Sequence, residues 1–109
     1  MNMARRNVFF LSLKGSKRFT RLYAGADRDK GLRSGFVCLK PKESVGEHDT
    51  GSKEEALIVI KGSAVVHCGR KSFKVSKGSF VYIPPATRHD IENAGRKALQ
   101  YVYVTAPAV

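Results

Sequence analysis

The chain has 109 residues, 42% of them apolar and 27% charged, and its 20 Lys or Arg against 9 Asp or Glu give a net charge of +11. That length fits one domain with a single core, and the proportions are those of an ordinary soluble globular protein. The longest aliphatic run, Ala56 to Ile60, falls far short of the roughly 20 apolar residues that span a bilayer, so no membrane partner is expected.

The charge is uneven. Residues 1–35 hold nine Lys or Arg (Arg5, Arg6, Lys14, Lys17, Arg18, Arg21, Arg28, Lys30 and Arg33) against Asp27 and Asp29. Such a segment attracts phosphates without regard to sequence, but it equally serves as a solvated face, and an anionic small molecule fits between the two. The chain has no helix-turn-helix or RNA-binding aromatic motif, and "KRFTRLY" (17–23) is a weak interleaving of rings and cations, which argues against a nucleic-acid partner. Two arginines precede "NVFFLSLKGSK", where Lys14 interrupts a short apolar run and no small-residue cleavage pattern follows. This predicts no signal peptide and a cytoplasmic location.

In chain order the candidate strands are 7–13, 19–24, 34–40, 55–61, 63–68, 71–76, 79–84, 89–93 and 98–105, rich in Val, Ile, Phe and Tyr. Gly, Pro, Lys or Asn separates them, and no stretch holds a 3.6-residue period over three turns. Repeated spacings of about 8 to 12 residues predict an all-β sandwich or barrel. The polar linker 25–35 divides a basic N-terminal part (1–33) of strands and loop, within the same fold, from a barrel over 34–109. The apolar 7–13 run is a candidate to pair with a partner's sheet edge. Cys38 and Cys68 each lie inside apolar segments without CxxC spacing, as expected of small buried hydrophobes.

Strand parity in "EALIVIK" (55–61) places Glu55, Leu57 and Val59 on one face and Ala56, Ile58 and Ile60 on the other. Both faces are apolar, which predicts burial on both sides, in a sandwich or at a dimer interface. Glu55 then stands at the rim of an apolar interior, where a carboxylate is costly unless it is paired, protonated or bound to a metal. Glu54 points the other way, toward solvent.

Two blocks carry the chemistry. In the first, His48, Thr50 and Glu55 are followed by six residues and Gly62; in the second, Gly78 precedes Pro84, His89 and Asn93. The Pro84–Pro85 pair cannot lie inside a central strand, so it forces a turn that places His89 at the start of the next strand. One hairpin separates the blocks, and two such units can bring ligand-type side chains together at a barrel mouth.

With these blocks the chain resembles the cupin superfamily, in particular its small single-domain members. The cupin first motif reads G, five residues, H-x-H, three or four residues, E, six residues, G, and the second reads G, five residues, P-x-G, two residues, H, three residues, N. His48, Glu55 and Gly62 match the first, with Lys42 at its leading glycine and Thr50 at its second histidine. Gly78, Pro84, His89 and Asn93 match the second, with Ala86 at its inner glycine. The resemblance covers about residues 35 to 105 and implies a double-stranded β-helix, a jelly-roll barrel, with an N-terminal strand extension.

It also implies a divalent metal (Fe, Mn, Ni or Zn) held by His48, Glu55 and His89, a donor set suited to such ions. Thr50 would stand at an open position and hydrogen-bond a metal-bound water. Tyr82, Tyr101 and Tyr103 are further pocket candidates, while Asn93 is expected as a turn residue before Gly95. The implied function is binding, or transformation by dioxygenase or isomerase chemistry, of a small organic molecule inside the barrel. The alternative is a non-catalytic ligand-binding or sensing cupin whose metal site has degraded at Thr50. Cupins of this size are commonly dimers, and a homodimer is expected here.

Overall fold

Short β-branched and aromatic runs alternate with turns that only glycine or a left-handed residue can make, and the chain answers with strands and hairpins. The computed structural model describes residues 8–25 and 31–108. Among these, all regular structure is β: β1 (Phe19–Ala24), β2 (Arg33–Leu39), β3 (His48–Asp49), β4 (Lys53–Lys61), β5 (Ser63–Cys68), β6 (Lys71–Ser76), β7 (Phe80–Ile83), β8 (Arg88–Glu92) and β9 (Leu99–Pro107). Among the described residues no helix is long and apolar enough to cross a membrane.

The strands form two antiparallel sheets, one of five in the order β1-β2-β9-β4-β7 and one of four in the order β3-β8-β5-β6. Their facing sides enclose a core of Leu39, Leu57, Val59, Val66, Ile83, Ile91 and Leu99, each no more than 1% exposed. Period-two alternation puts these residues inside. In β7, for example, Val81 and Ile83 are buried while Phe80 and Tyr82 face out. Gly62 links β4 to β5 at φ 82°, and a Cβ there would lie 2.4 Å from the Ala98 carbonyl oxygen, so both conformation and space require glycine.

Two expectations need correction, and one short strand was not foreseen. Residues 8–18 form no strand: Val8, Phe9, Phe10, Leu11 and Leu13 are exposed, and Phe9 stacks on Tyr23 (ring centroids 5.9 Å apart) instead of joining a ladder. Asn7, which opened that predicted strand, and the charged Arg5, Arg6, Asp27, Arg28, Asp29 and Lys30 lie outside the described residues. β4 is buried on one face only. Glu55, Leu57 and Val59 point inward as parity predicts, but Ile58 is 52% exposed, and it neighbours Phe80 at 60% on the outer face. Finally, β3 is a two-residue strand, too short to leave a periodic signal.

Candidate metal centre

The site begins with one register pair. β3 and β8 run antiparallel with His48 opposite His89, so the two imidazoles project from neighbouring backbones, with ring centroids 4.1 Å apart and planes inclined at 61°. The segment leading to His48 is built onto β8 by backbone and side-chain bonds. The Val45 amide donates to the Ile91 carbonyl (3.0 Å) and the Gly46 amide to Asp90 Oδ1 (3.0 Å), while Arg88 pairs with Glu47 (2.6 Å). That pairing holds the exposed Glu47 carboxyl below its usual pKa. Glu55, on β4 of the other sheet, completes the group from across the sandwich.

His48, Glu55 and His89 thus each offer one ligand atom, all within 4.8 Å of one another. Each imidazole is oriented by a backbone carbonyl: His48 Nδ1 donates to Gly46 O (2.9 Å) and His89 Nδ1 to Thr87 O (3.0 Å). With the proton fixed on Nδ1, each Nε2 presents a lone pair, the arrangement by which proteins orient metal-binding histidines. His89 Nε2 is fully buried and has no hydrogen-bond partner. Glu55 Oε1 is 3.7 Å away, beyond hydrogen-bond reach. Burial opposes charge on His89, but the Glu55 carboxylate and the Thr87 carbonyl outweigh it, so its pKa lies above the ordinary imidazole value. A buried nitrogen that has no partner and lies in the field of a carboxylate is a site for a cation.

The residues therefore fit a divalent ion. Donors 2.0–2.2 Å from one ion span at most about 4.4 Å, so closing the cluster takes a few tenths of an ångström of side-chain movement.

Thr50 has a different task from the one its position suggested. Its hydroxyl donates to the Pro84 carbonyl (2.7 Å) and accepts from the Thr87 amide (3.0 Å). With its proton committed to Pro84, it has none for a bound water; it clamps the turn after β3 onto the turn before β8. Tyr82 is corrected as well. It lies on the outward parity of β7, 54% exposed, and donates to Glu54 Oε1 (2.7 Å), away from the cavity beside the cluster. Asn93 is structural, as expected, but more deeply so. It is fully buried, donates to Leu39 O and Lys97 O and accepts from the Gly95 amide, each at 2.9 Å. His67 faces away from the core and bridges Ser72 Oγ and Glu92 Oε1, each at 2.8 Å.

Beside the cluster lies a cavity of about 370 Å³ whose lining includes His48, Thr50, Glu55, Tyr101 and Tyr103. Burial drives the Tyr101 phenol far above its ordinary pKa, and Glu55 adds to this; Tyr103 moves the same way for the same two causes. Both rings therefore enter the cavity as neutral phenols. Two of its charged lining residues, Arg33 and Lys53, went unnoticed in the sequence as pocket residues. Arg33 had a signal: it is in phase with Gly35, Val37 and Leu39, the inward side of β2. Lys53 lies where β4 leaves a turn, and parity is hardest to assign at a strand end.

The cupin-domain family model matches residues 35–105. The chain belongs to the cupin family. An uncharacterized protein of Methanocaldococcus jannaschii is 33% identical over 86 residues, covering 79% of this cupin and 66% of that protein. The tetracenomycin polyketide synthase protein TcmJ of Streptomyces glaucescens is 31% identical over 80 residues, covering 71% and 54%. This cupin thus spans about half to two-thirds of the length of these relatives. Among solved structures, the cupin domain of Schizosaccharomyces pombe Cnp3 superposes with a TM-score of 0.76 at 17% identity, over 83% of this chain and 64% of that one. The likeness in that case is one of fold.

The family pattern also explains two backbone anomalies. Among the described residues, the two non-glycine positions with positive φ are Lys42 (73°) and Ala86 (53°). They are the two places where the chain carries another residue at a cupin motif glycine. The turns have kept their left-handed geometry without the residue that adopts it freely.

Proposed function

We propose that this cupin binds one divalent transition ion through His48, Glu55 and His89 and a small organic molecule in the adjoining cavity. The observation that carries the reading is His89 Nε2, buried without a partner while its Nδ1 is fixed by Thr87 O. A bound ion would supply Lewis acidity toward an oxygen donor of the ligand. The chain's own residues orient the ligand: Tyr101 and Tyr103 offer neutral phenols, and the apolar Val37, Val45 and Ile91 exclude water from its body. The cavity's carboxylates are Glu55, counted here as a metal ligand, and Asp49, whose Oδ1 accepts from the Gly51 amide (2.7 Å). The reading is therefore one of binding, and any turnover would draw its base from Asp49 or from the ligand.

The test is metal content by plasma mass spectrometry on untagged protein, as purified and after reloading with Fe²⁺, Mn²⁺, Ni²⁺ or Zn²⁺. The expected result is close to one ion per chain, lost in both His48→Ala and His89→Ala. A protein that takes up no ion under any of these conditions would return the cluster to a degraded site and leave a metal-free binding pocket as the function.

A further inference from the structure

The cavity has a second pole, set by strand register. On the inner face of the five-stranded sheet, Arg33 of β2 lies opposite Thr105 of β9, and Thr105 lies opposite Glu55 of β4. These three residues form one row across adjacent strands, all lining the cavity. Two interstrand spacings put the Arg33 and Glu55 backbones about 9.5 Å apart. Arg33 thus lines the cavity two strands away from Glu55 of the metal-binding cluster.

The charges around the cavity single out Arg33. Of the other charged lining residues, Lys53 is already engaged, Asp49 accepts from the Gly51 amide, and Glu55 belongs to the cluster. Arg33 makes no ion pair among the described residues, and its Nε is buried with no hydrogen-bond partner. A partly buried guanidinium with an unsatisfied donor is costly to leave alone. The neighbouring row explains how the room for a ligand arises. Gly35 lies opposite Tyr103, and a Cβ on Gly35 would sit 2.7 Å from the Tyr103 ring. The ring therefore lies over the glycine, next to Arg33 along the strand, and stacks on Phe19 at 6.2 Å between centroids.

We propose that the ligand is a small organic acid whose carboxylate pairs with Arg33 while another oxygen donor is directed at the His48, Glu55 and His89 cluster. This deepens the metal-site reading and rests on it for the second pole alone. A planar fork of donors matches a carboxylate bidentately, and the cavity of about 370 Å³ limits the acid to a small one. With an ion in place the two poles are both positive, so a neutral or cationic molecule of the same shape is disfavoured. Arg33 is accordingly a specificity residue, acting on what binds and not on whether the ion does.

The experiment is calorimetric titration of the Zn²⁺-loaded protein with malonate and succinate, beside their neutral isosteres malonamide and succinamide. Wild type, Arg33→Gln and Arg33→Lys are compared, with metal stoichiometry and thermal melting measured for each. The expected result is that the acids bind and the amides do not. Arg33→Gln should keep its ion and its melting temperature while weakening the acids about ten- to a hundredfold, and Arg33→Lys should recover part of that loss. Acid affinity that is the same in wild type and Arg33→Gln would overturn the proposal, because the acid would then be held by the ion alone. Wild type that carries its ion and binds neither acid would overturn it too, while leaving the metal centre standing. If no ion loads but the metal-free protein binds an acid in an Arg33-dependent way, the Arg33 pole is supported and the metal reading fails.

Discussion

His48 and His89 are register partners, yet they belong to different kinds of structure. His89 sits on β8 with its side chain wholly enclosed, next in parity to the core residue Ile91, and its ring is held by the Thr87 carbonyl. His48 is exposed on a two-residue strand and is held by a series of hydrogen bonds that all lead back to β8 or to the turn before it. These run from Val45 to Ile91, from Gly46 to Asp90, from Glu47 to Arg88 and from Thr50 to Pro84 and Thr87. The second block is therefore a frame that the core makes, and the His48 segment of the first block is laid onto it, while Glu55 of that block stands on the buried face of β4. A site built this way needs only one of its histidines to be rigid in its own right, provided the other is tied to it.

The largest test of this asymmetry is Asn93→Ala. Asn93 ends the second block, and its amide serves Leu39 O, Lys97 O and the Gly95 amide. Truncation leaves buried backbone groups without partners, which should cost about 3 kcal/mol and lower the melting temperature by at least about 10 °C. If the loss were confined to a tenth of that, the frame would have to lie elsewhere than in the second block.

The two histidines then give a paired test in the metal-free protein. His89→Ala leaves a cavity beside the inward Glu55 and should destabilise by about 2 kcal/mol. His48→Ala, on the exposed side, should stay within about 0.5 kcal/mol of wild type. Urea denaturation of metal-free samples reads both. Equal losses would erase the distinction, because His48 would then be as much a part of the core as His89.

The same asymmetry governs what could be seen in the sequence. β1, β2 and β4 to β9 were legible from alternation and turns, since each is long enough for a strand pattern to show. Parity put Glu55 on the same face as Leu57 and Val59, without showing that the opposite face is open to solvent, and the resemblance of the two spaced blocks to the cupin motifs marked His48 and His89 as partners. β3 was not legible, because two residues carry no period; it exists through bonds to β8. Tyr82 was misassigned because an alternating tyrosine reads the same from either side of a sheet, and only the burial of Val81 and Ile83 shows which side faces in. Thr50 was taken for a substitute at a ligand position, where spacing shows the place of a side chain but not the bonds already made by it. The 7–13 run had strand-like composition, but its described residues 8–13 join no ladder within the chain, and composition alone does not hold a strand in water.

The smallest expected effect bears on the same two blocks and runs in the stabilising direction. Lys42, in the loop before the first block's histidine, and Ala86, in the turn before His89, hold φ at 73° and 53°, where a Cβ costs about 1–2 kcal/mol. Both are fixed there by their own amides, Lys42 donating to Asn93 O and Ala86 to Gly51 O, each at 2.8 Å. Neither can relax without breaking a bond to the other block. Glycine removes the steric cost but gives the unfolded chain more freedom, worth roughly 0.5–1 kcal/mol. Lys42→Gly and Ala86→Gly should therefore each stabilise by about 0.5–1 kcal/mol, and the two have no shared partner, so the double variant should show the sum. Lys42→Ala is the control: it removes the lysine but keeps the Cβ, and should bring no gain. If alanine at position 42 stabilised as much as glycine, the benefit would come from losing a charge in a strongly basic chain, and the left-handed turn would carry no strain to relieve.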